Sequence, residues 1–490
     1  MSTSDVLVVG AGPVGLLLAL LLRRAGVVVR IVDRAPAPAP ESRAITIQPR
    51  SLEVLALHGL AAPLLSRGIA VRTLRVFEEG REIARLDGGA IRSAFPFLLQ
   101  IPQRTTEAIL ADALAKAGVA VERATELVGL EAGPEVVRTV LARGGAEEMH
   151  TARFTIGADG ARSTVRALAG IDFPGSGAGA RFVMADVRGS LDGIAPDERA
   201  TFLGPGGRFL IALPVGDGSL RLVTALADGN DRAPGIADFE DAARATSAPP
   251  LAIEDVGWLT RFSPRFHLAD RLQQGRVLLT GDAAHVQSPM GAQGMNTGLH
   301  DAANLAWKLA WALARGADPG SALLASYDVE RRHVARRVLA EAGRRTRSVL
   351  GGDRRAQRAE WTLRSMRWFG RAFLETSAQL RLGYRDIATA SAALLPSEAR
   401  GSWIVGERPP CAIAAGGGFT VVGRSSPSQT ALARFPVPPA REPSSLDPDL
   451  AALVRPDGIV GAVFPAAHVE KGLERWIARA SASPEEVSPS

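Results

Sequence analysis

Cysteine is nearly missing from this chain. Cys411 is the one thiol among 490 residues, which excludes an intramolecular disulfide and any cysteine cluster for zinc or iron–sulfur; a reducing compartment is expected, and no metal ligand set. Lysine is also scarce, occurring only at Lys116, Lys308 and Lys471. The net charge of +6 and the pI near 10.2 therefore rest on arginines dispersed among acids. Their densest groups, Arg331-Arg332, Arg336-Arg337 and Arg344-Arg345-Arg347, fall at helical intervals, as on a solvated helix face. With no nucleic-acid motif and no interleaved aromatics, a nucleic-acid partner is not expected. Long apolar runs are lacking too: the longest, Val14 to Leu22, ends at Arg23-Arg24, far short of the roughly 20 residues a membrane span needs. The chain is strand-like by Asp5, which argues against a signal peptide, so a cytoplasmic protein with no membrane partner is expected.

What is present reads as a compact enzyme. The length suggests roughly two to four domains, and a hydrophobic share of 46% with a charged share of 22% is typical of globular chains. Val6 to Val9, Gly10 to Gly15, Leu16 to Ala25 and Val27 to Val32 read as strand, glycine turn, helix and strand, a βαβ unit. Helical periodicity returns over Pro49 to Leu57 and Thr105 to Ala117. Between about 176 and 260 the texture becomes short alternating segments, read as an antiparallel sheet inserted into the first domain. A long helix is expected from Asn296 to Ala314, then an arginine-rich helical stretch over about 326 to 385. The Pro/Gly/Ser-rich tail carries strand-like pieces at Phe419 to Val422 and Leu453 to Val460 and a final helix near Leu473 to Ala480. The expected division is 1–175 and 266–400 for the two parts of the first domain, 176–265 for the sheet and 401–490 for a small third domain.

Gly10-Ala11-Gly12-Pro13-Val14-Gly15 matches GxGxxG, although with 51 glycines a chance match is expected about half the time. Its context carries the signal: an apolar strand precedes it, a helix follows, and Asp33 closes the next strand, where a carboxylate can accept hydrogen bonds from ribose hydroxyls. Gly10 permits the turn, Gly12 lets the backbone approach a pyrophosphate, Gly15 lets helix pack on strand, and the helix N-terminus favours the negative phosphates. The fingerprint alone leaves NAD and FAD both open. No second GxGxxG stands in a strand-turn-helix context, which disfavours a reductase with two nucleotide domains.

Two further segments narrow the choice. Ile156-Gly157-Ala158-Asp159-Gly160 sets an Asp-Gly turn at a strand end, and Leu279-Thr280-Gly281-Asp282-Ala283-Ala284-His285 is followed by Pro289, then Gly294-Met295-Asn296 at the head of the long helix. With these, the sequence resembles the class A flavoprotein aromatic hydroxylases, the p-hydroxybenzoate hydroxylase superfamily, in the branch of phenol, pentachlorophenol and polyketide hydroxylases and rifampicin monooxygenase. Ser42-Arg43-Ala44, Arg50-Ser51-Leu52-Glu53, Pro102-Gln103 with Glu107, and Tyr327 with Glu330-Arg331-Arg332 extend the match to about residues 5 to 340. Gly406 to Pro410 and Arg455-Pro456-Asp457-Gly458 resemble that branch's thioredoxin-like C-terminal domain, here without CxxC and so without a redox role, leaving packing or oligomerisation.

The resemblance implies an α/β fold: a Rossmann-type FAD-binding domain, an inserted antiparallel substrate sheet and the small C-terminal domain. It implies that Gly10, Gly12, Pro13, Val14 and Gly15 cradle FAD, that Asp33 and Arg34 contact its adenosine end, and that Arg43 and Gln103 contact phosphates or the ribityl chain. Asp159 would lie near the pyrophosphate, and Asp282, beside Gly281, would hold a ribityl hydroxyl. Gly294, Met295 and Asn296 would set backbone amides against the pyrimidine edge, where reduced flavin is negative and a helix N-terminus is stabilising. Pro289 would shape the place where oxygen adds. Gln48 and Arg50 could face FAD or substrate, and His285 belongs to the structural turn rather than to acid/base chemistry. No acid occurs from Ile45 to Pro49, which favours a substrate that is already acidic or activated. Phe202, Phe209, Ile211, Leu213 and Val223 are the expected pocket walls, each equally able to be plain core.

The implied reaction is hydroxylation of an aromatic small molecule, with NADH or NADPH reducing the flavin and dioxygen adding at C4a to give a hydroperoxide. An epoxidase or Baeyer–Villiger oxygenase on the same scaffold differs only in product. A flavin-binding accessory protein is the rival of another class, and a halogenase is disfavoured because none of the seven tryptophans forms a WxW pair. Oligomeric state is not legible.

Overall fold

The computed structural model describes residues 2–42, 44–177, 181–215, 218–226, 233–289, 291–316, 319–350, 373–387, 391, 394, 405–407, 409, 419–422, 447 and 449–482. The apolar strand Ser2–Val9 forms the centre of an eight-stranded sheet, pairing in parallel with Val29–Val32 on one side and Ala146–Gly157 on the other. Val121–Glu122 extends one flank and Val277–Leu279 the other, both in parallel, so that strands widely separated in sequence end side by side. The helix Pro13–Arg24 starts at Pro13, in the first-turn position where a missing N–H costs nothing. Leu16, Leu17, Leu18, Leu20, Leu21 and Leu22 are all buried, because the helix is covered by Gly294–Ala314 and Gln103–Lys116 as well as by the sheet. Each such leucine contributes about 1.5–3 kcal/mol of burial. The helix therefore cannot shift without opening the core.

A seven-stranded sheet follows, in the order Leu251–Phe262, Phe182–Leu191, Ser219–Ala225, Phe209–Pro214, Glu198–Leu203, Thr73–Glu78, Arg81–Asp87. Its last two strands come from well before residue 176, and Thr73–Glu78 joins Glu198–Leu203 in parallel. Gly175–Gly177, Arg265–Leu268 and His285–Val286 form a small sheet where the chain passes between the two larger ones.

The described C-terminal residues form a three-stranded antiparallel sheet of Thr420–Val422, Leu450–Val454 and Val460–Pro465, covered by the helix Val469–Ser481. The expected single strand from Leu453 to Val460 is broken by a turn at Arg455–Gly458, with Gly458 at φ +70°. Trp476, fully buried, sits 5.7 Å from Trp311 and 5.2 Å from Phe419, ring centre to ring centre, docking this unit on the last turns of Gly294–Ala314. Among the described residues no helix is long and apolar enough to cross a membrane.

Candidate active site

The glycine turn and the Asp159 turn meet at the ends of adjacent strands. Gly10 has φ +103°, and a Cβ there would lie 2.4 Å from the Ala158 oxygen; a Cβ on Gly15 would lie 2.0 Å from the Gly10 oxygen. Gly12 is different: a Cβ on it would meet nothing within 4 Å, and no side chain caps the helix that follows. An open cradle before an uncapped helix N-terminus fits a pyrophosphate. Asp33 lies against the same turn, accepting from Ala11 N at 2.7 Å and Ala35 N at 2.8 Å. Arg123, not singled out in the sequence, stands 3.5 Å from Asp33, and the Arg34 side chain is exposed. Gln103 accepts from Ala44 N at 3.2 Å and donates to Glu107 at 2.9 Å, while burial pushes the Glu107 carboxyl up. Arg43 lies outside the described residues.

Asp159 accepts from Thr164 N at 2.7 Å and Val165 N at 3.1 Å through one oxygen, which organises the short helix Thr164–Leu168. Its other oxygen is buried with no protein partner, and burial raises its pKa. That orphaned acceptor, next to the glycine turn, fits a hydroxyl-bearing ligand.

The Gly281-Asp282 turn is held from behind. Gly281 takes φ +60°, and its N–H donates to Asp301 at 3.2 Å. The same buried carboxylate bonds His285 Nε2 at 2.7 Å and accepts from Arg331 Nε at 2.5 Å, so His285 is committed to the turn. Tyr327 OH donates to the Leu279 oxygen at 2.8 Å. The Asp282 and Pro289 side chains are exposed. Val14 packs beneath, leaving no room for a Cβ at Gly298, which would fall 2.6 Å from it.

Asn296 commits its side chain to protein partners: Oδ1 accepts Gln48 N at 2.8 Å, and Nδ2 donates to the oxygens of Thr46 at 2.9 Å and Ala292 at 2.8 Å. It staples strand Thr46–Ile47 to the head of the long helix and leaves the backbone N–H groups of Gly294, Met295 and Asn296 at that head. Those N–H groups precede the first helical bond, Thr297 N to Gln293 O, and no side chain caps them. Gln48 donates to the Gly291 oxygen at 3.1 Å, and its own oxygen is buried without a protein partner. Arg50 is held by protein partners: it donates to the oxygens of Asp457 at 3.0 Å and Gly458 at 2.9 Å and to the Glu53 carboxylate at 3.1 Å.

The seven-stranded sheet has two faces, and alternation sorts the expected pocket walls between them. Phe209, Ile211, Leu213 and Val223 share a cluster with Met184 and with Ile45 of the first domain. Phe202 points the other way, stacked on Phe77 at 4.8 Å and packed with Phe239 of the helix Ile236–Ala245, which makes it core. On the Ile45 side the Arg221–Asp186 pair, 2.7 Å apart, reaches the Ser42 oxygen and ties sheet to loop. Arg199, two residues from Thr201 on strand Glu198–Leu203, alternates with the core residues Ala200 and Phe202 and so shares the Ile45 side. Its guanidinium pKa is pushed down to about 10, first by loss of solvent and then by the Arg345 guanidinium. Arg345 in turn lies against Gly291, where a Cβ would come 2.8 Å from its Nη1.

An open glycine turn before an uncapped helix, a carboxylate at the next strand end, a pinned Gly-Asp turn and a facing apolar sheet thus stand together in one fold. Residues 3–342 match the FAD binding domain family, and the chain belongs to it, among the flavoprotein aromatic hydroxylases. It is 38% identical over 361 residues to 6-methylpretetramide 4-monooxygenase of Streptomyces rimosus, covering 72% of this chain but only 63%, under two thirds, of that protein. Rifampicin monooxygenase of Streptomyces venezuelae is 36% identical over 343 residues, 68% of this chain and 69% of its own. The solved structure of OxyS anhydrotetracycline hydroxylase from Streptomyces rimosus superposes with a TM-score of 0.79 at 26% identity, covering 97% of this chain and 99% of that one.

The buried carboxylates predict an acid limit. Burial alone would raise Asp301 and Glu330, but Arg331 with His285 outweigh it for the first, and Arg455 with Lys308 for the second; both sit well below their ordinary 3.8 and 4.5. Asn304 and Ser391 also donate to Glu330, and Gly281 N to Asp301. The unfolded chain takes up protons there before the folded chain does, so their contribution is complete above about pH 5 and lost as pH falls further. Thermal unfolding followed from pH 7 to pH 3.5 should decline gently below about pH 6.5, where the depressed His58 and His300 favour the unfolded chain, and more steeply below about pH 5, with that steep part shallower in Glu330→Gln. An equally steep decline in that variant would remove Glu330 from the account.

Proposed function

We propose that this protein uses FAD, NAD(P)H and dioxygen to hydroxylate an aromatic small molecule of phenolic or polyketide-like character. The observation that carries the reading is the apolar sheet face of Phe209, Ile211, Leu213, Val223 and Met184, turned toward the domain that bears the cradle and the uncapped helix head. When bound, FAD supplies hydride acceptance from NAD(P)H and activation of dioxygen. The chain's part is positioning: Gly12 and the head of Pro13–Arg24 seat the pyrophosphate, Asp33 the adenosine ribose, and Asp159 and Asp282 face ligand hydroxyls. The first N–H groups of Gly294–Ala314 hold negative charge, the apolar face excludes water, and Pro289 borders the reacting space. Arg199 would hold an ionised substrate oxygen, in keeping with the lack of an acid near Gln48. With one nucleotide fingerprint, NAD(P)H binds transiently near the flavin.

Such a design needs a gate, because reduced flavin without substrate gives peroxide. Stopped-flow reduction by NADPH or NADH, with and without phenols and polyketide aromatics, should show faster reduction and less hydrogen peroxide with an active substrate. Arg199→Met should raise KM most for the most acidic phenols. Equal reduction rates and complete conversion of oxygen to peroxide across the panel would replace the hydroxylase reading with an oxidase or an inactive flavoprotein.

A further inference from the structure

Glu330 and Arg331 are adjacent, buried and oppositely committed. Arg331 reaches Asp301, which holds Gly281 N–H and His285. Glu330 takes both Arg455 donors, at 2.8 Å and 2.9 Å, together with Lys308 at 2.9 Å, Asn304 at 2.7 Å and Ser391 at 2.6 Å. Asn304 also donates to Asp457 at 2.9 Å and to Tyr384 OH at 3.2 Å, and Tyr384 OH receives Arg331 at 2.8 Å. A second line leaves the same turn: the Asp457 and Gly458 oxygens hold Arg50, which follows Gln48 and Pro49 at the head of helix Pro49–Leu57. Gln48 is bonded to Asn296 through its N–H and to Gly291 through its side chain.

We propose that the Arg455–Gly458 turn is a positioning element of the flavin site, fixing the Gly281-Asp282 turn through Glu330–Arg331 and the Gln48/Gly291/Asn296 edge through Arg50. The C-terminal unit is thus a third wall of the site at one remove. It touches no cofactor; it sets the register of the groups that do.

Docking alone does not call for this construction. The unit is already seated by Trp476, Trp307, Trp311, Phe419 and Leu473. Buried ion pairs are weak contributors to stability compared with apolar residues of the same volume, whereas a network in which every charged group is paired restricts the geometry; around Glu330 it is the uncharged Asn304 side-chain oxygen that lacks a partner. Glu330, Arg455 and Lys308 are fully buried, and a small cavity bordered by Arg50, His300, Arg331, Tyr384 and Asp457 lies between the two lines. A shift of the turn would unpair several charges at once, so its position is passed on to both edges.

The proposal rests on FAD binding, and its test separates the two. Apoprotein of the full chain is titrated with FAD, reading dissociation constant, visible flavin spectrum, midpoint potential and apoprotein melting. Arg455→Met should weaken FAD at least about tenfold and shift spectrum and potential, and Arg455→Lys should recover part of both. Leu473→Ala, which loosens docking away from the network, should lower melting and leave FAD affinity and spectrum as in the parent. Should Arg455→Met not fold, Asp457→Asn carries the same readouts. Unchanged affinity, spectrum and potential in the network variants would overturn the proposal, as would an equal loss in Leu473→Ala, which would make docking the cause. Failure of the unmodified chain to bind FAD would overturn the flavin reading and this one with it.

Discussion

Asp301→Ala is expected to destabilise the fold by about 3–5 kcal/mol, because it strands the Arg331 guanidinium in a buried site. Asp301 is fully buried and serves three donors, Arg331, His285 and Gly281 N–H. Neighbouring Thr297 O and Tyr384 OH can still accept from Arg331, but neither carries a full negative charge. The double variant Asp301→Leu with Arg331→Met removes both charges and should return much of the lost stability, since two apolar groups of similar volume need no partner. FAD affinity should stay impaired in the double variant, because Gly281 still lacks its acceptor. Urea unfolding read by tryptophan fluorescence, alongside FAD titration, separates these effects. Equal stability loss in single and double variants would mean that the stranded Arg331 charge is not its cause, and parental FAD affinity in both would mean that Asp301 does not support the turn.

The parts of this site that can be read from sequence are those where local chemistry decides. Gly10, Gly12 and Gly15 lie between an apolar strand and an apolar helix, and the structure shows why two of them tolerate no Cβ. The same holds for Asp33, set at a strand end where its carboxylate meets Ala11 N. What could not be read depends on distant partners or on which side of a sheet faces inward. Phe202 and Phe209 lie on paired strands with the same alternation, yet they belong to opposite faces, and only the helix Ile236–Ala245 on one side and Ile45 on the other distinguish them. Arg50 carries no local sign that its acceptors lie at Asp457 and Gly458. The strands Thr73–Glu78 and Arg81–Asp87 resemble many edge pairs, and their place beside Glu198–Leu203 is a tertiary outcome. In the C-terminal unit the strand-like stretch from Leu453 to Val460 holds a turn whose charged residues turn inward, against the usual expectation for Arg and Asp.

Gly12→Ala should separate folding from cofactor binding more sharply than any other single change. Gly12 has φ −74° and ψ −179°, a conformation alanine adopts without strain, and its added Cβ meets nothing within 4 Å. Apoprotein stability should therefore stay within about 0.5 kcal/mol of the parent. A pyrophosphate drawn onto the head of helix Pro13–Arg24 must approach this backbone closely, and a methyl group there holds it off. FAD affinity should fall on the order of 100-fold, about 2.8 kcal/mol. Gly15→Ala is the contrast, since its Cβ would lie 2.0 Å from the Gly10 oxygen and must push helix from strand. That overpacking should cost about 1–3 kcal/mol in the apoprotein as well as FAD binding. Fluorescence titration with FAD and thermal melting of both apoproteins make the comparison. A Gly12→Ala protein that binds FAD as tightly as the parent would show that the open side of the turn is not where the pyrophosphate sits.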